Sequence, residues 1–156
     1  MPGVANFKDL LTKPIEETER PKPIPPGTYI VTTKDHAFDV SSKKQTPYVQ
    51  FNYIVSEPQD DVDEDLLEVF GGTEKLMVKA LNTKFYLTGD AMFMLKEYLE
   101  EALEISTGGR NYDEVLPETT GMRCLVHITH AMAQDGKTPY AQIESFAPLS
   151  ALETDD

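Results

Sequence analysis

Lysine and tyrosine recur together in two similar segments of the chain. Residues 44–51, KQTPYVQF, and residues 137–143, KTPYAQI, share the pattern Thr-Pro-Tyr-x-Gln followed by an apolar residue. In each segment a lysine-bearing loop precedes the tyrosine. This combination suits single-stranded nucleic acid, because bases stack on aromatic rings while phosphates attract lysines. Chance similarity between two hairpin starts is the alternative explanation of the repeat.

Other residues join this candidate set because rings and basic side chains alternate with polar neighbours. Phe38 alternates with Lys34 and Tyr86 with Lys84, so these rings could lie on the solvent-facing side of a strand. Four other aromatic residues are expected in the core instead: Phe51, Tyr53, Phe85 and Tyr98. The predicted nucleic-acid-binding residues are Lys34, Phe38, Lys43, Lys44, Tyr48, Gln50, Lys79, Lys84, Tyr86, Arg123, Lys137 and Tyr140.

Two motifs that suggest metal binding do not meet the geometry that metals require. Cys124, His127 and His130 are spaced for zinc, but on a strand His127 would point away from the other two. The acidic segment with Asp61 has Leu66 where a calcium loop needs glycine. No glycine-rich phosphate loop or catalytic set is present, so we predict a non-enzymatic protein without a metal or cofactor.

The elements that must position these residues follow from periodicity. Strands are predicted over 27–38, 47–56, 75–87, 122–133 and 138–149, and a helix over 90–105. Asp135-Gly136 predicts a tight hairpin turn. A short helix within the acidic segment should end at Gly71-Gly72. The order predicts a mainly β protein, a five-stranded OB-fold barrel with a helix between strands three and four.

Composition predicts a single domain with extensions at both ends. Six of the eleven prolines fall in residues 1–26, which we interpret as an extended arm. Residues 27–149 would form the OB-fold domain, with an acidic insertion at 57–74, and residues 150–156 an acidic tail. Phe7, Leu10 and Leu11 could form an amphipathic turn in the arm, and a homo-oligomer is possible if this turn reaches a neighbouring subunit.

Cysteine usage and hydropathy bear on the compartment. Cys124 is the one cysteine of the chain, which fits a reducing cytoplasm, the host's cytoplasm if the protein is viral. No apolar run is long enough for a membrane helix, and the N-terminus lacks the features of a secretory signal.

The net charge of −13 over 156 residues at first argues against any nucleic-acid partner. Its distribution weakens that objection. Residues 27–56, 75–88 and 121–147, the predicted strands and hairpins, together carry +4, and the rest of the chain carries −17. A modestly basic sheet with exposed rings favours single strands, whereas the acidic remainder would repel duplex.

The run KFYLTGDAMFMLKEYLEEALEI, then NYDEVLPETTGM, Asp135-Gly136 and TPYAQIESFAPL, resembles bacteriophage single-stranded DNA-binding proteins of the OB-fold type. The segment PPGTYIVTTKDHAFDVSSKKQTPYVQFNYIV is similar to their first hairpin, and the resemblance covers roughly residues 24–149. It implies sequence-independent binding of single-stranded DNA in phage replication or recombination, with replication or recombination proteins as partners of the acidic tail. The alternative is an acidic β-barrel that serves as a protein-interaction module of a virion or regulatory complex.

Overall fold

The computed structural model describes residues 22–153, together with Lys8, Leu11, Thr12, Pro14 and Ile15 upstream. Most of the predicted arm, including Phe7 and Leu10, and the last three residues of the predicted tail lie outside the described residues. No helix of the described part is long and apolar enough to cross a membrane.

Five strands of the described chain form one antiparallel sheet. They are β1 (Gly27–Val40), β2 (Pro47–Pro58), β3 (Leu81–Tyr86), β4 (Arg123–Met132) and β5 (Pro139–Ala147). The sheet order is β3-β2-β1-β4-β5, and every pairing is antiparallel. The prediction of a mainly β protein with five antiparallel strands is confirmed. Among the described residues β3 and β5 are not hydrogen-bonded to each other, so the sheet does not close.

Short helices lie between β2 and β3 and between β3 and β4. They are α1 (Glu64–Phe70), α2 (Gly72–Val78), α3 (Ala91–Glu97) and α4 (Tyr112–Val115). Tyr98–Ala102 continues α3 as a π-helical turn, and 3₁₀ turns cover Leu116–Thr119 and Leu149–Glu153. The predicted helix of the acidic insertion is confirmed as α1. Asp63 caps it by accepting hydrogen bonds from two backbone N–H groups, and Gly71 ends it with a φ of 128°.

The predicted third strand over 75–87 is wrong in its first half. Residues 72–78 form α2, and β3 begins only at Leu81. Leu76 is fully buried whereas Val78 is 82% exposed, so the two do not share a face as a strand would require. A short apolar run fits a helix as well as a strand by periodicity alone. Residues 72–78 form a helix rather than a strand, and this helix buries Leu76 in the core.

An aromatic cluster occupies the core and confirms the prediction that Phe51, Tyr53, Phe85 and Tyr98 are buried. Phe146 from β5 joins it, with its ring centroid 4.7 Å from that of Tyr98 and 6.1 Å from that of Phe85. The edge strands β3 and β5 therefore meet through side chains rather than through backbone hydrogen bonds. The Tyr53 and Tyr98 hydroxyls are hydrogen-bonded to each other at 2.7 Å, which satisfies both within the core.

The acidic insertion is anchored to the start of β1. Asp61 accepts hydrogen bonds from the backbone N–H and the hydroxyl of Thr28, at 2.8 and 2.7 Å. Partial burial opposes ionisation of Asp61, but the hydrogen bonds from Thr28 and the nearby His127 outweigh it and lower the pKa of the carboxyl. Beside this contact, Val62 is buried against Gly27, which has a φ of +138°.

Gly27→Ala should destabilise the protein by roughly 2–4 kcal/mol, because strain and overpacking add. An alanine Cβ would lie 2.5 Å from Val62 Cγ2. Gly108→Ala is the matched control, since no atom lies within 4 Å of its added Cβ, and it should change stability by less than about 0.5 kcal/mol. Urea unfolding of both variants measures the difference. Equal stabilities would show that the insertion does not pack on Gly27.

Stability should fall as pH rises above about 10, the ordinary tyrosine pKa. Burial, reinforced for Tyr53 by its tyrosine neighbour, raises the pKa of Tyr53 and Tyr98 in the folded protein. The unfolded chain therefore loses these protons first, at up to about 1.4 kcal/mol per pH unit for each group. Urea unfolding at pH 8 and above pH 10 measures the fall. It should shrink in Tyr53→Phe/Tyr98→Phe and persist in Tyr140→Phe, and an undiminished fall in the double variant would contradict this origin.

Candidate nucleic-acid interface

The register of β2 and β3 brings several predicted site residues together. Tyr48 lies opposite Tyr86, and Gln50 lies opposite Lys84. Because side chains alternate along a strand, these residues face away from the buried Val49 and its neighbours. The sheet therefore presents two tyrosines, a glutamine and a lysine on one outer face.

Tyr48 contacts both Tyr86 and Lys84 directly. The rings of Tyr48 and Tyr86 are 5.9 Å apart between centroids and inclined at 72°, an edge-to-face arrangement typical of aromatic pairs. Lys84 Nζ lies 4.7 Å from the centroid of the Tyr48 ring, within cation–π range. Tyr86 is 41% exposed, so its ring is available to a stacking ligand.

The loop between β1 and β2 brings two further lysines to this face. Ser41 closes the loop, since its backbone N–H donates to the Thr46 carbonyl at 2.9 Å and its hydroxyl oxygen accepts from the Thr46 N–H at 3.0 Å. Lys43 and Lys44 lie in the exposed turn between them. Together with the strands, this loop forms a concavity of about 680 Å³.

We refer to Lys43, Lys44, Tyr48, Lys84 and Tyr86 as the tyrosine–lysine surface. All five line this concavity, and its described lining otherwise consists of Val40, Ser41, Ser42 and Thr46, without a carboxylate. Asp39 lies opposite Tyr48 in β1, and its carboxylate accepts a hydrogen bond from the Val40 N–H. The four additional lining residues were not predicted, although they adjoin Lys43 and Lys44 in sequence.

Gln50 borders the tyrosine–lysine surface but is already engaged. Its side-chain amide donates to Asn52 at 2.9 Å, and Asn52 in turn donates to Asp35 at 2.6 Å. This chain of hydrogen bonds orients Gln50 along the sheet.

Phe38 and Lys34 do not join the tyrosine–lysine surface. Phe38 pairs with the buried Val49 and therefore projects from the other face of the sheet. It is 60% exposed and makes an edge contact with His36, with ring centroids 5.6 Å apart. Lys34 falls where the β1–β2 register shifts, so it has no partner residue in that ladder.

Lys79 and Arg123 also lie apart. Lys79 follows α2, and its N–H closes the helix by donating to the carbonyls of Lys75 and Leu76; the prediction that it lies on the third strand is wrong. Lys75 likewise belongs to α2, so β3 retains only Lys84 of the basic charge assigned to that strand. Arg123 begins β4, where its guanidinium lies 3.8 Å from a carboxylate oxygen of Glu57.

Lys137 and Tyr140 lie at the opposite end of the sheet. Gly27, the first residue of β1, lies opposite Ile128 of β4. Because β4 continues beyond Ile128, the β4–β5 hairpin extends past the first residue of β1. The lysine loop at 41–46 instead follows the other end of β1. In the hairpin turn, Asp135 accepts from the backbone N–H of Lys137, and Tyr140 lies opposite Ala131. The sequence repeat therefore produces two similar hairpins with different surroundings.

The zinc-like motif is dispersed in the structure. Cys124 is fully buried, and burial raises the pKa of its thiol to about 12. His130 Nε2 lies 2.7 Å from the Ile24 carbonyl oxygen, and His127 Nδ1 lies 3.2 Å from the Thr28 hydroxyl. Within the described residues no group of three or more His, Cys, Asp or Glu is placed to hold a metal ion.

Comparison with known proteins does not assign the chain to a family. No protein-family model matches the chain, and no curated protein is significantly similar to it in sequence. A functional assignment therefore depends on the residues themselves.

Proposed function

We propose that the protein binds single-stranded DNA, largely without sequence preference, and supports phage DNA replication or recombination. The observation that carries the proposal is the tyrosine–lysine surface, where three lysines and two tyrosines line one concavity without a described carboxylate. This clustering occurs in a chain whose net charge is −13. The role in phage DNA metabolism follows from the sequence resemblance alone.

The chemistry of this surface favours single strands over duplex. A base can stack on Tyr86 only if its own faces are free, and such stacking contributes about 1–3 kcal/mol per base. Lys43, Lys44 and Lys84 would neutralise neighbouring phosphates. The acidic charge elsewhere on the protein would repel the dense phosphates of a duplex.

The sheet order supports the finer fold proposal, an OB-type barrel that stays open between β3 and β5. β1 pairs with both β2 and β4, and α3 lies between β3 and β4 in the chain. In such barrels one strand face and the flanking loops bind oligonucleotides. Lys137 and Tyr140 would then make a second contact with longer strands at the far end of the sheet.

The remaining parts of the proposal concern surroundings and partners. The sequence alone supports three of them. These are a cytoplasmic location, replication or recombination proteins as partners of the acidic tail, and a homo-oligomer. Lys34, Phe38 and Arg123 are expected to contribute less than the tyrosine–lysine surface, because each lies outside its concavity.

A protein-interaction module is the second candidate, and a specific observation favours it. Helices α1 and α2, which begin within the acidic insertion, expose four large apolar side chains, of Leu66, Val69, Met77 and Val78. Exposed apolar surface that is rimmed by polar residues is typical of protein contacts. This candidate predicts no affinity for oligonucleotides.

Titration of labelled oligo-dT, compared with duplex of equal length at two salt concentrations, tests the proposal. Single-strand binding should weaken with salt and exceed duplex binding. Lys43→Ala/Lys44→Ala should lower the slope of log affinity against log salt by about 0.7 per lysine. The matched control, Lys22→Ala/Lys96→Ala, removes equal charge from exposed positions outside the concavity and should leave the slope unchanged. Absence of single-strand preference, or equal slopes for the two variants, would contradict the proposal.

Replacing either ring should weaken binding through lost stacking. Tyr48→Ala and Tyr86→Ala should each reduce affinity for oligo-dT by about 1–3 kcal/mol, measured by the same titration. Tyr86→Phe keeps the ring and should bind as the wild type does. Tyr140→Ala should matter only for oligonucleotides long enough to reach the other end of the sheet. Unchanged affinity in folded Tyr48→Ala/Tyr86→Ala would place the site elsewhere.

A further inference from the structure

A second cavity lies where the sheet fails to close. It has a volume of about 500 Å³ and is bounded by β3, by α3 with its π-helical turn, and by β5. We call it the seam cavity. Its apolar lining includes Phe85, Met94, Tyr98, Ala102, Ile143 and Phe146. Met94 is 62% exposed, so an apolar group from outside could cover it.

Unpaired strand edges border the seam cavity. Among the described residues β3 is hydrogen-bonded to β2 alone and β5 to β4 alone. The Leu87 N–H donates to the Pro47 carbonyl at 2.9 Å, which makes residues 47 and 87 a hydrogen-bonded pair. Along an antiparallel ladder, hydrogen-bonded pairs alternate with pairs whose N–H and C=O groups point away from the partner strand. The N–H and C=O groups of Lys84 and Tyr86 therefore point away from β2, and both residues line the seam cavity.

The charge of the seam cavity differs from that of the tyrosine–lysine surface. Glu97 and Glu101, both exposed, line it from α3 and the π-helical turn. Glu144 lines it from β5, with its carboxylate 3.7 Å from His127 Nε2. Carboxylates repel phosphate groups and attract lysine or arginine side chains. This lining disfavours nucleic acid and favours a basic ligand.

We propose that the seam cavity binds an extended segment of a partner protein in which apolar and basic residues alternate. The segment adds a strand to the free edge of β3 and pairs with the backbone of Lys84 and Tyr86. Its apolar side chains cover the aromatic lining of the cavity, and its basic side chains lie near Glu97 and Glu101. Strand addition of this kind obtains affinity from main-chain hydrogen bonds and specificity from alternate side chains. The inference does not rest on the proposed DNA binding.

The test uses a peptide of six residues, the length of β3, that alternates isoleucine with lysine. Peptide titration into the full chain, followed by amide chemical shifts, should perturb Asn82, Lys84 and Tyr86 together with the Met94 methyl. Glu97→Lys/Glu101→Lys should weaken the affinity roughly tenfold or more. Glu68→Lys/Glu74→Lys reverses the same charge on α1 and α2, outside the cavity, and should leave the affinity unchanged.

Modified peptides separate strand addition from general attraction without altering the protein. Methylation of the peptide amides that would pair with β3 should abolish binding, whereas methylation of the alternate set should not. A peptide with glutamate in place of lysine should bind at least tenfold more weakly. The proposal is overturned by equal binding of these peptides, by shifts confined to α1 and α2, or by no binding at millimolar concentration. It is also overturned if oligo-dT perturbs the Met94 methyl, which lines the seam cavity and not the tyrosine–lysine surface, and displaces the peptide.

Discussion

The double pairing of β1 is the constraint on which the rest of the structure depends. Its first residues hydrogen-bond to β4 on one side and to β2 on the other, whereas residues 35–40 pair with β2 alone. Shifts in the β1–β2 register, which are typical of bulges, allow the strand to bend between these two parts. The end of the β1–β2 hairpin is therefore free of β4, and β3 completes its outer face. The tyrosine–lysine surface lies there because no other described strand competes for that space.

The same constraint leaves the seam between β3 and β5 open. Their side chains meet through Phe85, Phe146 and Tyr98, so the core is closed while the backbone edges are not. Lys84 and Tyr86 line both the concavity and the seam cavity. A single short strand thus separates a lysine-lined surface from a glutamate-lined one. In a chain of high negative charge, this segregation would let the two proposed ligands, which are of opposite charge, bind to neighbouring sites.

The candidate site shows which of its features local sequence pattern predicts and which it does not. The repeat predicts Tyr48 as a candidate, and alternation predicts Lys84 and Tyr86, but the contacts that Tyr48 makes with both depend on the register that places Tyr48 opposite Tyr86. Lys79 was assigned to the same strand and instead closes α2, since the apolar spacing of residues 76–80 fits a helix as well. Phe146 had no distinguishing neighbour in sequence, and it joins the aromatic cluster only because the sheet curls.

Local sequence pattern is sufficient to predict the strand character of β1, β2, β4 and β5, the hairpin turn at Asp135-Gly136 and the burial of Phe51 and Tyr53. These depend on local alternation and turn chemistry, which neighbouring residues encode. The folded arrangement of the strands, in contrast, is needed to show that Lys43, Lys44 and Lys84 share one concavity with two tyrosines, whereas Lys137 and Tyr140 lie at the other end of the sheet. The reason is that strand pairing and sheet curvature join residues distant in sequence, and no local pattern specifies which edges meet.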